Sequence, residues 1–318
     1  MSEEGEGRAL GLPGGAGAVD VGALESVTRD LHQAEQELPA RVVLGRVTEH
    51  LNHLTRILNE SLAPTARRRL LVTAGDTAVL AGWMAHDLRD SEAASEFYST
   101  ADDTAREADD PALRACIMTY LSYDVPEARR ARSLLQEARA LVGTETHSAA
   151  AAWIELRIAE ESAALGESSA ARRGLARAVD VFDRSRPDEE RPWAGFLDRS
   201  RVAVFATHTY ARLGRPDLAE REVPEVLAAI GDSAAKIRTV AMVALADVRI
   251  QQGDRVGIEL AQQALDLAVE AGNKFALDRL YELAPRLRRW RDDAVARELR
   301  DRIRDAADPQ TDLDAAKG

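Results

Sequence analysis

Small residues recur at a fixed spacing along this chain, and this spacing constrains the fold more than any other feature. A small residue is followed twelve positions later by a second one, and seven positions after that by a small or aliphatic residue. The first members of consecutive sets are 37, 40, 48, 39 and 38 residues apart. A period of this length indicates an array of structural repeats. The six sets are Gly82, Ala94 and Ala101; Thr119, Ala131 and Ala138; Ala159, Ala171 and Ala178; Thr207, Ala219 and Val226; Ala246, Ile258 and Leu265; and Ala284, Ala296 and Ile303.

Close packing of helices explains the spacing. Two antiparallel helices joined by a tight turn approach each other only where their side chains are small. We therefore place the first residue of each set midway along one helix and the other two, a heptad apart, on the next helix. Turn signals lie between them at Gly166, Gly214 and Gly253. Glycine ends a helix there because it adopts the left-handed conformation without strain.

The fourth set resembles the tetratricopeptide repeat (TPR). Tyr210, Gly214 and Ala219 stand where that family has its first-helix tyrosine, its turn glycine and its second-helix alanine. The period exceeds the family's roughly 34 residues, and Ile258 replaces the expected alanine. The resemblance covers residues from about 66 to 306. It implies an all-α fold, namely a right-handed α-solenoid of about six TPR-like helix pairs. A leading helical pair precedes this array.

Four segments follow from the pattern. Residues 1–19 are rich in Gly and Glu and predict a disordered N-terminal tail. Residues 20–63 carry apolar residues at helical spacing on both sides of Pro39, which predicts the leading helical pair. Residues 64–306 form the predicted TPR-like repeat array, and residues 307–318 the flexible C-terminal tail.

Two irregularities interrupt the array. Residues 184–193 form an insert that explains the one interval of 48 residues. Two prolines and several acidic residues in it predict a surface loop. Pro285 lies inside the first helix of the sixth pair, so we expect that helix to kink or end early.

Composition narrows the possible functions. The net charge of −12 and the pI near 5.1 argue against direct binding of nucleic acid, which requires a basic surface. The single cysteine, Cys116, excludes an internal disulfide and fits a reducing cytoplasm. No stretch approaches the roughly 20 apolar residues of a membrane span, and the N-terminus lacks the pattern of a signal peptide.

Motifs that carry catalysis are not evident, so we expect no enzymatic activity and no cofactor. His50 and His53 stand three apart on one predicted helix beside Glu49, but a third ligand at a usual spacing is missing. A solvated helix face is the favoured interpretation, and no metal site is predicted. The basic run from Arg286 to Arg291 includes Trp290. Its acidic neighbours favour an exposed, salt-bridged helix over a nucleic-acid site.

The first helix of each pair lines the concave wall of such a solenoid, so positions near each anchor can be assigned to a groove. These positions hold much of the chain's scarce aromatic content, together with arginine and histidine. Aromatic residues and arginine are enriched at binding hot spots, which predicts a groove for a peptide or a small ligand. The alternative is that the aromatic residues fill gaps between neighbouring repeats. The predicted groove residues are Trp83, His86, Tyr120, Tyr123, Trp153, Arg157, Glu160, Arg201, His208, Arg212, Asp247 and Tyr281.

The leading pair, the loose repeats and the Gly-Asp turns are similar to the C-terminal sensor half of actinobacterial Xre-type helix-turn-helix regulators. In that family a DNA-binding domain precedes the array. Only some 19 residues precede the first helix here, so we expect any role near DNA to act through a partner. Three hypotheses stay open: a regulatory module that binds a peptide or protein segment, a homodimer or assembly adaptor that associates through residues 44–58 or 290–303, and a small-molecule sensor.

Overall fold

The computed structural model describes residues 20–143, 147–186, 190–232 and 234–307, and these residues form helices without a β-strand. The α-helices are α1 Val21–Glu37, α2 Ala40–Leu58, α3 Pro64–Asp87, α4 Ser91–Glu107, α5 Pro111–Leu121, α6 Ala128–Val142, α7 Ala149–Ala164, α8 Ser168–Asp183, α9 Arg199–Arg212, α10 Pro216–Ala219, α11 Val223–Asp232, α12 Ala235–Gln252, α13 Val256–Ala271, α14 Lys274–Leu283 and α15 Ala294–Ala307. Short 3₁₀ helices cover Ser122–Asp124, Pro192–Ala194 and Ala284–Trp290.

Consecutive helices pack as pairs, which confirms the predicted all-α helix-pair repeat. The leading pair is α1 with α2. Six pairs follow: α3 with α4, α5 with α6, α7 with α8, α9 with α10 and α11, α12 with α13, and α14 with α15. The second helix of the fourth pair is broken between α10 and α11, a feature that the spacing of small residues does not predict.

The small residues lie at the helix crossings. All eighteen members of the six sets are buried. At Gly82 the approach is so close that a Cβ atom would lie 2.5 Å from the Tyr98 ring of the partner helix. Gly174, between two members of the third set, would bring a Cβ within 3.0 Å of the Cβ of Ala159. Close approach of the two helices in a pair therefore requires small side chains.

Helix ends follow the turn signals where glycine is present. Gly166, Gly214 and Gly253 all have positive φ, at 72°, 65° and 83°, and follow α7, α9 and α12. Arg89 and Asp109 take the same conformation after α3 and α4, with φ of 61° and 52°. Two of the turns thus use a left-handed residue other than glycine, which no sequence signal marks.

The superhelix closes on itself. Helices α1 and α3, at the start of the chain, contact α12 and α14 near its end. We call this contact the seam. Arg89, at the end of α3, also donates a hydrogen bond of 2.6 Å to the carbonyl oxygen of Ala306 in α15. The leading pair therefore forms part of the wall that encloses the interior.

The expectation of a surface loop for residues 184–193 is wrong for its described C-terminal part. Trp193 is only 2% exposed, and Arg191 forms ion pairs with Asp76 and Asp110. Burial of the indole and the presence of two buried carboxylates draw this segment into the interior. Pro285 acts as predicted: α14 ends at Leu283, and a 3₁₀ helix follows.

His50 also departs from the predicted solvated face. Its side chain is buried, and its Nε2 lies 3.1 Å from the hydroxyl of Thr28 on α1. His53 is exposed, as expected. Within the described residues, no three His, Cys, Asp or Glu side chains are grouped so that they could hold a metal ion.

Among the residues described, none of the helices combines the length and apolar character needed to cross a membrane. The predicted N-terminal tail, and the C-terminal tail from residue 308, lie outside the described residues.

Candidate ligand-binding cavity

The interior of the superhelix contains a cavity, which we call the central cavity. Its walls come from the first helices of the pairs, from α1 and from the segment that connects the insert to α9. The free space is about 60 Å³. A single water needs roughly 10–15 Å³ on the same measure, so this space has room for a few waters. The lining residues are Glu35, Gln36, Trp83, Tyr120, Tyr123, Trp153, Glu160, Phe196, Arg201, Val204, Phe205, His208, Lys236, Ile237, Val240, Val243, Ala244, Phe275 and Arg279.

Aromatic rings make up one part of the wall. The ring of Trp83 on α3 lies 4.8 Å from that of Tyr120 on α5 and 6.2 Å from that of Phe275 on α14. Trp153 on α7 contacts Phe196, which lies between the insert and α9, edge to face, with ring centroids 5.3 Å apart. Rings from four helices and from this connecting segment therefore meet around one space, in the geometries that aromatic pairs prefer.

A buried charge cluster joins α7, α9 and α14. Arg279 donates a hydrogen bond of 2.6 Å to Glu160, whose carboxylate also accepts from Arg157. Burial acts to raise the pKa of Glu160, but Arg279 and Arg157 outweigh it and hold the pKa at about 2. Burial lowers the pKa of His208 to about 4, and the charge of Arg279 adds to this effect. At neutral pH these four groups are therefore a carboxylate, two guanidinium groups and an uncharged imidazole. The carboxylates of Glu161 and Glu282 also lie within ion-pairing distance of Arg157 and Arg279, respectively.

A second charge cluster lies at the seam. Lys236 on α12 contacts Glu35 on α1 and lies 2.7 Å from Asp87 on α3. Its ammonium group is also 5.3 Å from the Trp83 ring centroid. Asp87 is almost fully buried, and its second oxygen, Oδ1, has no hydrogen-bond partner among the described residues. The ammonium group of Lys236 thus pairs with two buried carboxylates across the seam.

Most of the predicted groove residues come together in the structure. Seven line the central cavity: Trp83, Tyr120, Tyr123, Trp153, Glu160, Arg201 and His208. Four others lie behind this wall: His86 stacks on Trp83, Arg157 lies over the ring of Tyr123, Arg212 pairs with Glu282, and Asp247 pairs with Arg286.

Tyr281 does not join them. It is 57% exposed and is not part of the cavity wall. Phe275, one and a half turns earlier on α14, supplies the aromatic ring that the last pair contributes. Because α14 already ends at Leu283, the part of the helix that carries Phe275 and Arg279 faces the cavity, whereas its last turn does not.

Several cavity residues have no signal in the repeat pattern, among them Glu35, Gln36, Phe196 and Arg279. Lys236 is different. The chain has only three lysines against 39 arginines, and two of the three, Lys236 and Lys274, lie at the seam helices α12 and α14. The rarity of lysine marks these two positions in the sequence, independently of the repeat spacing.

Comparison with solved structures shows the fold. The crystal structure of a Rap protein complexed with competence and sporulation factor matches with a TM-score of 0.60 and 11% sequence identity, over 91% of this chain and 76% of that chain. The fold is therefore a Rap-like array of TPR-type helix pairs. No family model matches the sequence, and no curated protein matches it either.

Proposed function

We propose that this chain is a non-enzymatic regulatory module that binds a peptide or protein segment in the central cavity. The observation that carries the proposal is the concentration of aromatic and charged side chains on the inner wall, around a space that the neighbouring repeats leave open. The similar Rap protein is complexed with competence and sporulation factor in its crystal structure, which supports a binding role for a chain with this fold. The resemblance to Xre-type sensors supports a regulatory role exerted through a partner in the cytoplasm.

Binding a peptide requires the seam to part. The free space of about 60 Å³ is too small for even one large side chain with its backbone. The seam depends on few elements, with Lys236 between Glu35 and Asp87 as its buried ionic contact. A guest that separates α1 from α12 would change the shape of the whole superhelix. This change of shape is the signal that we propose a partner detects.

A small-molecule sensor is the second candidate. The small free space favours it, because a ligand much smaller than a peptide requires less separation of the seam. The two candidates therefore differ in how far binding opens the superhelix, which small-angle X-ray scattering of the bound protein distinguishes.

A library of random synthetic octapeptides with free termini tests the proposal. The immobilised protein should retain a subset of the peptides, which mass spectrometry identifies. Ala244→Leu adds side-chain volume to the cavity wall, and Phe275→Ala removes one of its rings. Both should reduce binding of the retained peptides at least tenfold, while Leu227→Ala, at a site 52% exposed on α11, should not. Equal binding by all four proteins, or no retained peptide, would refute a peptide site in the cavity.

A further inference from the structure

The charged residues that line the central cavity are paired with a single exception. Glu160 binds Arg279, and Glu35 binds Lys236. Arg201, at the start of α9, has no carboxylate of the described residues within ion-pairing distance. The nearby Asp198 caps α9 instead: its carboxylate accepts a hydrogen bond of 2.7 Å from the backbone N–H of Arg201.

The guanidinium group of Arg201 makes its direct contacts with neutral groups. One terminal nitrogen, Nη2, donates a hydrogen bond of 2.5 Å to the side-chain carbonyl of Gln36. The group lies 5.1 Å from the ring centroid of Phe196. Its Nε atom is buried and has no hydrogen-bond partner in the described part of the chain. Burial lowers the pKa of Arg201, with Glu35 acting in the opposite direction.

Other arginines in this protein show what this edge of a guanidinium binds. Arg69 uses Nε and Nη2 together on the carboxylate of Glu25, at 2.8 and 2.6 Å. Arg215 uses the same two atoms on Asp217, at 2.8 and 2.6 Å. At Arg201 the amide oxygen of Gln36 accepts from Nη2, and no atom of the described residues accepts from Nε. A carboxylate would fill both positions with two charge-assisted hydrogen bonds.

We propose that the Nε–Nη2 edge of Arg201 binds the carboxylate of the cavity's guest. The guest is then an acid with an apolar or aromatic body, either a peptide with a free C-terminus or a small carboxylic acid. The body contacts the surrounding rings, beginning with Phe196 and Phe205. Gln36 gives up its hydrogen bond when the acid binds. The inference rests on the proposed binding cavity and names the chemistry of its ligand.

Small acids provide the first test. We expect 3-phenylpropanoate to bind the wild-type protein at least tenfold more tightly than 3-phenylpropanamide, because hydrogen bonds to charged partners are the stronger class. Isothermal titration calorimetry measures both. Arg201→Gln should abolish the preference without lowering the thermal midpoint, since it removes a partly buried charge that has no ion-pair partner among the described residues. Arg199→Gln, at an exposed arginine two residues earlier that pairs with Asp183, should keep the preference.

Peptides provide the second test, in which the retained octapeptides are resynthesised with amidated C-termini. Loss of binding on amidation, with the same dependence on Arg201, identifies a peptide C-terminus as the source of the carboxylate. Peptides that bind equally well in both forms, together with equal binding of the small acid and its amide, would overturn the inference while the peptide site stands. Binding of the small acid alone would support the inference and refute the peptide site. If neither probe binds, both proposals fail.

Discussion

Replacement of Lys236 by methionine tests whether the ionic contact holds the seam closed. Methionine keeps much of the length of the side chain and removes the ammonium group. The carboxylates of Glu35 and Asp87, whose side chains are 7% and 1% exposed, then face each other without a cation. Loss of one partner of a buried ion pair leaves an uncompensated charge and costs roughly 3–5 kcal/mol.

We expect the lower end of this range, about 3 kcal/mol. Burial already raises the pKa of Asp87, and Lys236 counteracts this effect. Without Lys236, Asp87 takes up a proton more readily, which relieves part of the repulsion. Separation of α1 from α12 relieves more of it by admitting water. The cost should therefore fall as the pH is lowered, because protonation of either carboxylate removes the repulsion.

Urea unfolding and hydrogen exchange measure the effect. The free energy of unfolding should drop by about 3 kcal/mol, and amides of α1 and of the first turns of α12 should exchange faster. Arg249→Met, which breaks a half-exposed pair with Glu220, should change stability by less than about 1 kcal/mol. Addition of Asp87→Asn to Lys236→Met should restore part of the loss. A stability within about 0.5 kcal/mol of wild type, with unchanged exchange at α1, would show that this contact does not close the superhelix.

Two further predictions concern the helix crossings and the cavity charges. Gly82→Ala should destabilise the protein by about 1–3 kcal/mol, because the new Cβ meets the buried Tyr98 ring at 2.5 Å. Gly45→Ala is the control: nothing lies within 4 Å of its new Cβ, so it should stabilise the protein by about 0.5–1 kcal/mol. Equal effects of the two substitutions in urea unfolding would contradict the argument that helix crossings require small residues. The pKa of His208 is about 4 when folded and 6.5 when unfolded, so the unfolded state alone takes up a proton between these values and stability falls as the pH drops. Between pH 7 and pH 4.5 the free energy of unfolding of His208→Asn should fall by about 2–3 kcal/mol less than that of the wild type. Parallel profiles of unfolding free energy against pH would show that folding does not shift the pKa of His208.

The helix pairs could be predicted from the sequence because their determinants are local. Each crossing requires small residues at positions fixed by helix geometry, and each turn requires a residue that adopts a left-handed conformation. Gly214 and Ala219 satisfy both requirements within a few residues of each other. The groove residues on α3, α5 and α7 followed from the same geometry, since an anchor fixes which neighbouring positions face inward.

The closure of the superhelix could not be predicted in this way. Lys236 and Glu35 are 201 positions apart, and Arg191 and Asp76 are 115 positions apart. No repeat spacing relates such residues, so the interior contacts of the insert and of the leading pair have no local signal. The assignment of Tyr281 fails for a related reason: its position was counted from Ala284, but α14 ends before that residue, so the anchor geometry of a complete helix does not apply.

Two kinds of contact hold this molecule together: apolar helix crossings and buried ion pairs. The crossings bury apolar area, which already gives the array its stability. Buried ion pairs add little, because desolvation offsets most of their attraction. The pairs Glu160–Arg279 and Glu35–Lys236 each join helices that are far apart in sequence and face the same cavity. These ion pairs therefore act mainly by fixing which helices surround the cavity and in what register. A carboxylate that reaches Arg201 meets the one charged residue of the cavity wall that has no ion-pair partner among the described residues.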